Sequence, residues 1–156
     1  MNRFVVNVSE YPIVAVIYPE KPTLREASEL FDFYADLAKA GARVGYTIDM
    51  RRFDPVVADA KTRKMVFDLF KKHEAALSKS TVCEARIAPS AVTRGVLTAF
   101  DWMTGTKWPC TNVKNAADAV AWVKGHLAAE GLDERAKAPP LSVFSVTPDG
   151  VVRFAA

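Results

Sequence analysis

Asp49, Arg51 and Arg52 close the run Ala42 to Phe53, A-R-V-G-Y-T-I-D-M-R-R-F. An acid beside two arginines can grip an anion, because guanidinium groups bind phosphate or carboxylate in two-point contacts. Val44 to Ile48 reads as a buried strand, which puts the three charges at its carboxyl end. Open α/β sheets carry their functional groups there, beside the N-terminus of the following helix. The competing expectation is internal: Asp49 pairs with an arginine, Arg94 for example, and only fixes the loop.

Other side chains able to do chemistry are sparse. Trp102 and Trp108 bracket D-W-M-T-G-T-K-W-P, where exposed indoles would anchor a partner and buried ones would cap the core. Trp122 falls on an apolar stripe and reads as core. Lys61, Lys64, Lys71 and Lys72 give one helix a basic face, either solvated or turned to an acidic partner. His73 and His126 lie on separate helices without acidic or cysteine neighbours at ligand spacing, so no metal site is expected. Cys83 has no nearby histidine. Ser90 follows a strand, but A-P-S-A-V lacks the glycines of a nucleophile elbow and fits a helix cap. Gly41, Gly45 and Gly95 form no phosphate-binding loop. No catalytic residues and no cofactor are expected.

The elements that position these residues follow from periodicity and punctuation. Arg3 to Val8 and Ile13 to Tyr18 read as an antiparallel hairpin. The second is apolar enough to be covered on both faces. Thr23 and Glu26 form a capping box for a helix with Ala27, Leu30, Phe31, Tyr34 and Leu37 on one face. Gly41 ends it. After the pivotal strand, Asp54-Pro55 reads as the start of a long helix running to about Ser78. Thr81 to Ile87 is the next strand, and its alternating Glu84 and Arg86 predict one less buried face, nearer the sheet edge. Ser90 caps a helix with Val92, Val96, Leu97, Phe100 and Met103 on its buried face. Lys107 to Val113 is a short strand, and Asn115 caps the last helix. Residues 133–140 read as a linker. Leu141 to Val146 and Val151 to Phe154 flank the turn T-P-D-G, which predicts a terminal β-hairpin. Two strands alone are marginal in water, so the hairpin must dock on the domain, on a second copy as a homodimer contact, or on a partner.

The chain of 156 residues is long enough for one domain. Its net charge of +3 is too small to argue for nucleic acid. The two cysteines make no disulfide framework. No apolar run reaches the roughly 18 residues of a membrane span, and Met1 to Val8 carries no signal-like pattern, so a cytoplasmic protein is expected.

Alternating strands and helices after an opening hairpin mean α/β, with a mostly parallel sheet and right-handed crossovers. At this level residues 1–132 resemble the STAS family, the sulfate-transporter and anti-sigma-factor-antagonist domain, and in particular its bacterial relatives of the lipid-binding SEC14 group. The resemblance is carried by I-V-A-V-I-Y, G-Y-T-I-D-M-R-R-F, V-C-E-A-R-I-A, R-G-V-L-T-A-F-D-W-M and A-A-D-A-V-A-W-V. The hairpin extension over residues 141–156 lies outside it. Anti-sigma-factor antagonists carry a phosphorylatable serine or threonine after the central strand. Here D-M-R-R-F-D-P-V-V-A has neither, and Thr62 comes too late to match. The resemblance therefore implies a non-enzymatic regulatory or adaptor module. Its expected protein-binding surface is Asp49, Arg51, Arg52, Lys61, Lys64, Arg94 and Trp102. The SEC14 likeness implies the alternative, a small-molecule or lipid carrier with an apolar cavity under the first or second helix, lined by Phe31, Tyr34, Phe67 or Phe70.

Overall fold

The computed structural model describes residues 3–132 and 145–154. The linker expected at residues 133–140, and residues 141–144 of the expected hairpin, lie outside that set. The fold is α/β, as the element order implied. Five strands form one sheet in the order β1 (Val5–Asn7), β2 (Ile13–Ile17), β3 (Val44–Asp49), β4 (Thr81–Ile87), β5 (Cys110–Val113). β1 runs antiparallel to β2, and the other neighbours are parallel. β3 is central and its first five residues are buried, as expected for a run of apolar and small residues between two parallel neighbours.

Helices α1 (Leu24–Lys39), α2 (Ala60–Lys72), α3 (Glu74–Ser80) and α4 (Ala91–Thr104) share one face of the sheet, and α5 (Ala116–Ala129) covers the other. Side chains alternate across each strand, so each face has its own core. Val14, Val16, Val44, Tyr46 and Ile48 meet α1 and α2. Ile13, Cys83, Ala85 and Ile87 meet Ala119, Val123 and Leu127 of α5. Gly45 lets α5 approach closely: a Cβ there would stand 2.5 Å from Val123 Cγ1.

Thr23, Ser90 and Asn115 cap α1, α4 and α5, each accepting from the backbone N–H three residues on. The capping box of α1 is only half made. Glu26 N donates to Thr23 Oγ1 at 3.3 Å, while the Glu26 carboxylate turns to Arg3.

The second helix differs from expectation at both ends. Its cap is Asp59, which accepts from Thr62 N at 3.0 Å and from Thr62 Oγ1 at 3.1 Å. Asp54 instead closes a turn, accepting from Val56 N at 2.8 Å. The β-branched pair Val56 and Val57 disfavours helix there, and both side chains are exposed. Arg63 staples that turn by donating to the carbonyls of Pro55 and Ala58. The helix then breaks at His73, whose N–H donates to Leu69 and Phe70 carbonyls. The break re-aims α3 so that Leu77 reaches the core.

β6 (Ser145–Val146) and β7 (Val152–Arg153) form the terminal hairpin. It docks on its own chain: Val8 N donates to Gly150 O at 2.8 Å, and Asn7 bridges to Val151. Val152 enters the core, and Phe154 meets Phe33 edge-on.

Candidate functional site

Several of the expected surface residues are engaged by local partners. Asp49 takes its own near neighbour: Arg51 Nε and Nη2 donate to its carboxylate at 3.0 and 2.6 Å. Burial pushes the Asp49 carboxyl up, but the Arg51 hydrogen bonds and charge outweigh it and hold it below the usual range. Arg94 does not reach Asp49. It donates to the carbonyls of Ala88 and Pro89 and so fastens the β4–α4 loop. Arg51 and Arg52 line a shallow hollow with Pro89, Ser90 and Thr93. Lys61 and Lys64 are exposed on α2, and Lys64, paired to Asp68 at 2.8 Å, borders the concavity described next. Trp102 sits near the C-terminal end of α4, 86% exposed.

The pronounced concavity lies elsewhere, between α2, α4 and the sheet, with a volume of about 920 Å³. It is a half-open cleft rather than an enclosed void. Phe31 and Tyr34 of α1 and Phe67 and Phe70 of α2 all line it. Its opening is marked by lining residues that solvent reaches: Val56 at 82%, Val92 at 62% and Met103 at 61% exposure. This corrects the reading of α4. Val92, Val96, Leu97, Phe100 and Met103 all line the cavity, and of these five only Leu97 is buried.

The floor is polar, and the alternation of Glu84 and Arg86 now has a different cause. β4 is not an edge strand, and its charged face is the covered one. Arg86 is buried, with Nε donating to Glu84 Oε2 at 2.6 Å. Its Nη1 and Nη2 donate to Asp101 Oδ2 and Oδ1 of α4 at 2.7 and 2.6 Å. Burial works against the guanidinium charge, but Glu84 and Asp101 outweigh it and raise the Arg86 pKa. The Cys110 thiol approaches Glu84 and Arg86 at 3.8 Å. Burial, followed by Glu84, pushes it up to about 12, which keeps the thiol protonated at neutral pH.

Around this cluster stand polar atoms that bury without a partner: Tyr46 Oη, Thr81 Oγ1 and Trp108 Nε1. All three residues line the cavity. Leaving such a group unpaired costs about 1–3 kcal/mol, and these atoms lie behind the cavity wall rather than on it, since they have almost no accessible surface. Burial, with Glu84 adding to it, raises the Tyr18 and Tyr46 hydroxyls, and burial raises Tyr34, which keeps all three un-ionised.

The alternation of β4 was the one sequence signal for this floor. Trp108 was singled out only as a partner anchor or core cap, and Asp101, remote along the chain, gave no signal. Among the described residues no three His, Cys, Asp or Glu side chains gather as metal ligands, and no helix is long and apolar enough to cross a membrane. No protein-family model matches the chain, and no curated protein matches it.

Proposed function

We propose that the chain is a carrier for a small apolar or amphipathic molecule held between α2, α4 and the sheet. The observation that carries this reading is the cavity of about 920 Å³ walled by aromatic and aliphatic side chains. Ligand sites occupy about 300–1,000 Å³ and combine apolar walls with a few polar groups. The likeness of the chain to STAS domains of the SEC14 group agrees with it.

The test is a fluorescence titration with the uncharged dye Nile red. Wild type takes up one dye per chain. Gly95 lines the cavity, and a Cβ there meets open space. Gly95→Phe therefore occupies part of the cavity and weakens uptake, while circular dichroism and thermal midpoint stay near the wild-type values. No uptake by wild type, or equal uptake by the variant, removes the carrier reading.

A second reading is the regulatory or adaptor module, and the 86% exposure of Trp102 favours it. A large indole in water is a typical interface anchor. It is tested by capture from native lysate with wild type, Trp102→Ala and Arg51→Glu/Arg52→Glu. A partner held by wild type and lost by both folded variants supports an adaptor. Retention by both removes that surface.

A further inference from the structure

We infer that the exposed face of α4 is covered by α4 of a second copy, packed antiparallel about a two-fold axis that crosses the helix level with Leu97. The pairing needs no ligand and stands apart from the carrier reading.

The charged residues of α4 are Arg94 and Asp101. Arg94 donates to the Ala88 and Pro89 carbonyls, and Asp101 grips Arg86. Both charges are thus drawn onto the chain's own groups. What the helix offers to solvent is Val92, Gly95, Thr98, Ala99, Trp102 and Met103, none of them charged. At about 3.6 residues per turn these positions share one continuous side of the helix. The turn before α2 adds the exposed Val56 and Val57, and Val56 and Val92 border the same cleft. Monomers rarely expose a continuous apolar patch without a use for it. Interface centres have this composition, poor in charge and rich in aromatic residues and methionine.

Three features select a second copy as the occupant. The face is uncharged, so two identical faces meet without repulsion, and a foreign protein would find no charge pattern there to recognise. The face is also complementary to itself. Trp102 and Met103 project near its C-terminal end, while at its N-terminal end Val92 and Val56 border the open cleft. An axis level with Leu97 sets Trp102 against the partner's Val92 and Gly95 against the partner's Ala99. A two-fold contact requires this kind of match, because one patch must fit its own copy. A Cβ on Gly95 would meet nothing within 4 Å, so a second helix can approach closely there.

The helix ends supply the third feature. α4 has no basic residue in its last turn to answer its C-terminal carbonyls. Arg51 and Arg52 stand beside its first turn, in the hollow with Ser90 and Thr93. Antiparallel packing brings the C-terminal end of one α4 toward the partner's Arg51 and Arg52, and cations near a helix C-terminus are favourable. In the same arrangement the partner's Trp102 covers the cleft mouth at Val56 and Val92, so each copy closes the cleft of the other.

The test is sedimentation velocity on the full chain over a concentration series. One helix of 14 residues with a neighbouring turn is small for a stable interface, so a dimer that dissociates on dilution is expected. Trp102→Lys, at a side chain already in water, should sediment as a monomer at every concentration. Leu24→Lys, at an exposed apolar residue of α1, should dimerise as wild type does, and circular dichroism checks that both variants fold. Single cysteines read the register. Under mild oxidation Thr98→Cys, beside the axis, should link into a covalent dimer and Ala91→Cys, at the far end of α4, should not, with wild type as the baseline for Cys83 and Cys110. A wild type that stays monomeric overturns the inference, and if that monomer floats with phosphatidylglycerol vesicles the face belongs to a membrane instead. Trp102→Lys as dimeric as wild type overturns it too, as does Ala91→Cys linking as readily as Thr98→Cys. Each of these outcomes leaves Nile red uptake, and with it the carrier reading, untouched.

Discussion

Arg86 on β4 and Asp101 on α4 meet in a two-point fork, Nη1 to Oδ2 at 2.7 Å and Nη2 to Oδ1 at 2.6 Å. The fork ties α4 to the sheet beneath a cavity that otherwise separates them. Glu84 holds the third nitrogen of the same guanidinium. Arg86→Met leaves two carboxylates without their cation. Removing one partner of a buried pair costs about 3–5 kcal/mol, and urea unfolding measures it. Arg86→Met with Glu84→Gln and Asp101→Asn should recover much of the loss. A single variant as stable as wild type would show that the fork contributes little.

Gly45 and Val123 set how closely α5 lies on the sheet. Gly45→Ala drives a Cβ into Val123 Cγ1 and to 3.1 Å from Cys83 Sγ. Overpacking of this kind costs about 1–3 kcal/mol. Val123→Ala in the same chain should restore part of it, and thermal unfolding of the single and double variants reads the difference.

The terminal hairpin is held where Gly150 meets Ser9. Gly150 has φ +85°, and a Cβ there would lie 2.5 Å from Ser9 Cβ and 2.8 Å from Ser9 N. Gly150→Ala is therefore strained by both conformation and contact. The expected result is faster hydrogen exchange of the Val8 N–H, which donates to Gly150 O, with the β3 amides unchanged. Unaltered Val8 protection would count against docking through this turn.

His73 gives stability a pH dependence of definite sign. Burial lowers its pKa below 6.5, against the pull of Asp32 and with the help of Lys72. Above about pH 6.5, where an ordinary histidine titrates, the ring is neutral in both the folded and the unfolded chain, and its contribution is flat. As pH falls below that value the unfolded chain takes the proton first, so stability drops until the folded pKa is passed. Urea midpoints at pH 7.5 and 5.5 should differ less in His73→Gln than in wild type. An equal difference would assign the slope to other groups.

Both thiols should resist alkylation. Burial, then Glu84, pushes Cys83 up to about 12, and Cys110 is raised to about 12 by the same two causes in the same order. The thiolate is the reacting species, so iodoacetamide at pH 8 should label the folded chain far more slowly than the chain in urea. Rapid labelling of native Cys110 would mean that the Glu84–Arg86 floor opens in solution.

Much of the fold was legible in local signals. β4 spans Thr81–Ile87 as read from its alternation, and the caps at Thr23, Ser90 and Asn115 stand where short polar side chains precede apolar periodicity. These are decided within a few residues, by turn chemistry and by hydrogen bonds to the nearest backbone. The Asp59 cap was missed because Asp54-Pro55 offers the same local chemistry, and only the exposure of Val56 and Val57 separates them. The break at His73 has no glycine or proline to announce it. It follows from the demand that Leu77 reach the core, which is a tertiary contact.

The candidate site was the less legible part. Periodicity showed that Glu84 and Arg86 share a face of β4, and that Val92, Val96, Phe100 and Met103 share a face of α4. It could not show what either face meets. Charged alternation predicts solvent because most charged faces are solvated, yet Asp101, 15 residues away in the chain, makes burial tolerable for Arg86. Likewise an apolar helix stripe predicts packing, yet here it borders a cleft. The residues themselves determined the order, type and inner side of each element. Only the tertiary structure decided where helices and sheet stand apart, because that spacing is set by contacts between residues far apart in the chain.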